Sequence, residues 1–81
     1  MNKNNEIFKT KVFKGIVVPI AWDETGDVST YGLEMSDGRD MILNCSKCTG
    51  RIHDFLNLEI QIKGVAYKNV NGDEILMILH V

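Results

Sequence analysis

The sequence predicts one small five-stranded β-barrel carrying a single short helix. Apolar residues alternate with a period of two through most of the chain, Asp-Gly and Asn-Gly pairs punctuate it, and the period changes once, between Ser46 and Asn57. Eighty-one residues make one domain, with residues 1–6 read as a polar, disordered end and 7–81 as the barrel. A hydrophobic content of 44% with 25% charged residues is that of a globular chain, not a disordered one.

The first strand starts near Phe8. Phe8, Thr10, Val12, Lys14, Ile16, Val18, Ile20 and Trp22 share one parity, and Phe13, Val17 and Ala21 are apolar on the other. From Ile16 to Trp22 both faces are apolar, so the second half is expected to be covered on two sides. Gly15 marks a bulge or bend, and Pro19, which lacks an N–H, needs an edge or a bulge. After the polar loop Asp23–Asp27, Tyr31, Leu33 and Met35 alternate in a second strand. Ser36-Asp37-Gly38-Arg39 then predicts a two-residue type I′ hairpin leading to Met41, Leu43 and Cys45.

Ile52, Phe55 and Leu56 stand at helical spacing, which predicts a short amphipathic helix within Ser46–Asn57, capped by Ser46 or Thr49. Leu58, Ile60 and Ile62 return to period two. Gly64 shifts the parity to Val65 and Tyr67, Asn71-Gly72 signals another type I′ turn, and Ile75–Val81 is the last strand.

Five strands with a kinked first strand and a helix between strands three and four resemble the OB fold (oligonucleotide/oligosaccharide-binding). The closing segment from Ile60 to Ile78 resembles strands four and five of small bacterial OB modules. That resemblance implies a ligand face across strands two and three, flanked by the loops joining strands one to two and four to five. It also implies single-stranded nucleic acid as a ligand, held by stacking aromatics and basic side chains. The ligand-binding candidates are Trp22, Tyr31, Arg39, Tyr67 and Lys68. Against this, the surrounding positions hold eight acids (Asp23, Glu24, Asp27, Glu34, Asp37, Asp40, Asp73, Glu74) and only Arg39 and Lys68 as bases. A net charge of −2 and a pI near 5.5 also lack the basic balance that phosphate binding needs. Lys9, Lys11 and Lys14 are the one basic cluster and read as a solvated strand face.

Cys45-Ser46-Lys47-Cys48 is the sharpest local motif. A Cys-x-x-Cys pair can hold zinc or cycle as a dithiol, and a metal site would draw on Cys45, Cys48 and His53. On an α-helix, however, five residues turn His53 about 140° away from Cys48. Both cysteines also fall on core parity, where a reduced thiol is a small buried hydrophobe. The leading expectation is core thiols, with no metal and no cofactor. No catalytic constellation or phosphate-cradling loop is present, so the protein is expected not to be an enzyme.

The last strand, Ile75-Leu76-Met77-Ile78-Leu79, is apolar on both parities. One face must line the barrel; the other, Leu76 and Ile78 with His80, is expected either to be covered by residues 7–13 or to lie open as a surface for a protein partner or a homodimer. No stretch approaches a membrane span, and the opening Met1-Asn-Lys-Asn-Asn-Glu lacks a signal peptide's apolar core. The expectation is a cytoplasmic, non-enzymatic interaction or accessory binding module that does not engage membranes, with single-stranded nucleic-acid binding and a metal or redox site as alternatives.

Overall fold

A computed structural model describes residues 9–45 and 52–81. Five strands form in sequence order: β1 Lys11–Trp22, β2 Val28–Glu34, β3 Asp40–Asn44, β4 Glu59–Lys68 and β5 Glu74–His80. They close into a barrel in the order β1-β2-β3-β5-β4. All neighbours are antiparallel except β3 and β5, which run parallel. The expected all-β, five-stranded barrel is present, and its topology is consistent with an OB-like fold.

β1 takes part in two ladders, which is what closes the barrel. Lys11 to Ile16 pair with β4, and Ile16 to Trp22 pair with β2. Gly15 sits where the strand passes from one ladder to the other. A Cβ at that position would lie 2.6 Å from the Glu34 carbonyl oxygen, so only glycine lets the two backbones approach this closely. Pro19 pairs with Tyr31 beside a register shift, the irregularity its missing N–H requires.

The barrel interior holds Val17, Leu33, Met41, Ile62, Leu76 and Ile78, all essentially without solvent exposure. Burying each contributes about 1.5–3 kcal/mol. Leu76 and Ile78 therefore face inward, which corrects the expectation that they form a partner surface. Leu76 lies opposite Leu43 and Ile78 opposite Gly64, both inward positions, so the outward residues of β5 are Ile75, Met77 and Leu79.

A second correction concerns β1. Val12, Ile16, Ile20 and Trp22 are 64%, 39%, 42% and 57% exposed, so the even face of the strand is open. A five-stranded barrel has one interior, and Val17 on the odd parity already fills it.

The three hairpin loops share one geometry. In Asp23–Asp27, Met35–Arg39 and Asn69–Asp73 the first residue's N–H donates to the last residue's carbonyl. In each, the glycine N–H donates back to the first residue's carbonyl. Gly26, Gly38 and Gly72 have φ of 92°, 91° and 87°, while the residues before them keep negative φ. These are three-residue loops ending in a left-handed glycine, and at Asp37-Gly38 and Asn71-Gly72 they replace the expected two-residue type I′ turns.

Between β3 and β4 the described residues hold one 3-10 turn, Ile52–Phe55, in place of the expected α-helix. The turn stops because the chain is drawn back to β1. Asn57, at φ 67°, donates its N–H to the Val17 carbonyl at 2.7 Å, and the Val17 N–H donates to the Leu58 carbonyl at 3.1 Å. Ile52 is buried, and Phe55 and Leu56 pack on the core, so the amphipathic stripe itself is as expected. The proposed caps Ser46 and Thr49, the N-terminal end 1–6 and Cys48 lie outside the described residues. No helix among the described residues is long and apolar enough to cross a membrane.

Candidate binding face

The outward side of the sheet is built from ladder partners. One row crosses all five strands as Tyr67, Ile75, Ile42, Gly32 and Val18. Ile20, displaced by the bulge after Pro19, leans across Gly32: a Cβ there would lie 2.5 Å from the Ile20 Cδ1. The middle of the face is thus apolar. At one end of it Trp22 lies opposite Val28, more than half exposed, beside the Asp23–Asp27 loop.

The next rows are acidic. Glu59, Ile16, Glu34 and Asp40 are consecutive partners across β4, β1, β2 and β3. The three carboxylates and Ile16 line a single shallow pocket. Exposed carboxylates around an apolar side chain repel phosphate and favour cationic groups. Among the described residues, no group of three or more His, Cys, Asp or Glu side chains is placed to hold a metal ion.

The structure divides the five candidate ligand residues. Trp22 and Tyr67 belong to the outward face. Tyr67 is half-buried there, and its hydroxyl accepts a 3.4 Å hydrogen bond from the Asn44 side-chain amide. Tyr31 is turned inward, packs against the core, and its hydroxyl lies 2.5 Å from His53 Nδ1, with the two rings edge to face. It is a barrel residue and not a stacking platform. Arg39 lies in the loop after β2, 3.2 Å from the Asp37 carboxylate and 3.6 Å from that of Glu74. Lys68 is exposed opposite Glu74, on the side of the barrel where Arg39 also sits.

The metal candidates separate as well. His53 is engaged by Tyr31, and Cys45 packs against the core in phase with Met41 and Leu43, while Cys48 lies outside the described residues.

In the first loop Asp23 Oδ1 accepts the N–H groups of Thr25 and Asp27 at 2.9 and 3.0 Å and the Thr25 hydroxyl at 2.7 Å. The Thr25 hydroxyl holds the Asp23 carboxyl below its usual range. Slight desolvation works against this, and the backbone N–H groups of Asp27, Thr25 and Gly26 add to it. Asn69 occupies the equivalent place in the last loop, its Oδ1 accepting from Asn71 and Asp73. Asp23 and Asn69 thus shape their turns through these hydrogen bonds.

Val12, Ile16 and Ile20 were missed as surface residues because an apolar strand residue carries no mark of which side the barrel closes on. The sequence matches no family model, and no curated protein or solved structure matches it. The class is thus set by architecture: a small closed five-stranded β-barrel, consistent with an OB-like fold, with an apolar, acid-bordered outer face.

Proposed function

We propose that this protein is a non-enzymatic OB-type interaction module that docks a partner polypeptide on the outward face of β1. The supporting observation is the exposed stripe Val12, Ile16, Ile20 and Trp22, which gathers four of the exposed large hydrophobic side chains on one strand. The barrel is closed, so it offers no free strand edge for β-augmentation, and contact must come through side chains. Glu34, Asp40 and Glu59 surround Ile16. The complementary partner therefore carries apolar side chains flanked by lysine or arginine. Trp22 is the natural anchor, since exposed tryptophans contribute most per residue at interfaces. The same acids disfavour single-stranded nucleic acid on this face.

The test is selection of a displayed random-peptide library on the immobilised protein, with enriched peptides and short oligonucleotides then titrated by amide NMR. Basic, apolar peptides that shift the amides of Ile16–Trp22 and lose binding with Trp22→Ala are expected. If oligonucleotides shift those amides and peptides do not, the nucleic-acid reading replaces this one.

A further inference from the structure

A concave pocket lies at one end of the barrel, at the start of β1, β3 and β5 and the end of β4. Phe13 lies opposite Ile62 and Met41 opposite Leu33, and both partners are core residues, so these two side chains look inward. Lys11 and Glu74 stand two residues further out on the same inward parity of β1 and β5. With Lys9, Arg39 and Ala66 they line a pocket of about 360 Å³, separate from the β1 face. That volume lies within the range of small-molecule sites.

The lining has an apolar base and a cationic rim. Phe13 and Met41 supply the base, while Lys9, Lys11 and Arg39 face a single carboxylate, Glu74. Arg39 is held between Asp37 and Glu74, at 3.2 and 3.6 Å. Lys9 and Lys11 have no ion-pair partner among the described residues. A chain of net charge −2 therefore concentrates three of its nine cations at one concave end. In sequence these lysines read as part of a solvated strand face together with Lys14. Parity separates them, because Lys14 lies opposite Gln61 on the outer side.

We propose that this end of the barrel binds a small organic anion: an anionic head against Lys9, Lys11 and Arg39, and an apolar body against Phe13 and Met41. The two parts act together. A fully hydrated inorganic anion gains little from exposed lysines, whereas an apolar body adds burial and lowers the local dielectric around the head.

Phenyl phosphate, benzoate, inorganic phosphate and phenol are titrated into the full chain, followed by amide NMR and calorimetry. Phenyl phosphate or benzoate is expected to bind at least tenfold more tightly than inorganic phosphate or phenol, with shifts at Lys11, Phe13, Arg39 and Ala66. Which of the two binds more tightly identifies the head. Lys11→Gln is expected to weaken binding about tenfold, the loss of one charge-assisted hydrogen bond, while Glu74→Gln strengthens it. Both positions are on the rim, and unchanged spectra elsewhere confirm the fold. Equal affinity for inorganic phosphate, shifts on other surfaces, or the same direction of change in both variants overturns the proposal. Failure here leaves the β1 face untouched, because the two surfaces share no residue.

Discussion

The Tyr31 hydroxyl lies 2.5 Å from Nδ1 of His53, joining β2 to the 3-10 turn across 22 residues of sequence. This side-chain hydrogen bond pins the turn to the barrel wall. Because it is solvent-exposed, Tyr31→Phe is expected to cost about 0.5–1 kcal/mol. The same change should speed amide exchange at Ile52–Phe55 more than in the strands. Urea midpoints and hydrogen exchange check this, and unchanged exchange in the turn would show that burial of Ile52 holds it alone.

Gly15 and the Glu34 carbonyl approach closely: a Cβ at position 15 would lie 2.6 Å from that oxygen. Gly15→Ala places a Cβ against immobile backbone, so overpacking of about 1–3 kcal/mol is expected. Gly26→Asn is the contrasting variant. Nothing surrounds Gly26, and asparagine tolerates its φ of 92° better than other non-glycine residues, so the cost stays below about 1 kcal/mol. Comparable losses in both would contradict the close-approach account of Gly15.

Asp23 makes the first loop pH-dependent. Its folded pKa is depressed, so its ionised form favours the loop above the unfolded value of 3.8, and that contribution disappears as pH falls through the folded value. The amides of Thr25 and Asp27 are expected to shift in the acid range, below about pH 4. Asp23→Asn should keep the loop, as Asn69 does in its own, while removing that titration. A titration that persists in the variant would assign it to another group.

Trp22 is the single tryptophan, and it is 57% exposed. Its emission is therefore expected to be red-shifted and readily quenched by acrylamide in the folded state. Trp22→Ala should change stability by no more than about 0.5 kcal/mol, as for other surface substitutions. A blue-shifted, quench-resistant tryptophan would mean that the β1 face is covered in solution.

Alternation and turn chemistry by themselves determined the strands, their order, the three loop positions and the single break in period at Ile52. Those signals are local: a strand's parity and a glycine's place in a turn are encoded within a few residues. The type of turn was less legible, since Asp-Gly and Asn-Gly suit both two- and three-residue loops, and strand register chooses between them.

Only the tertiary structure decided which parity faces inward where both are apolar. Leu76 and Ile78 went to the core and Ile16 and Ile20 to the surface, because closure of the barrel selects one side of each strand. The gathering of Lys9, Lys11 and Arg39 at one mouth has the same origin. Those residues come from β1, its leading segment and the β2–β3 loop, and only the β1–β2–β3–β5–β4 closure makes them neighbours.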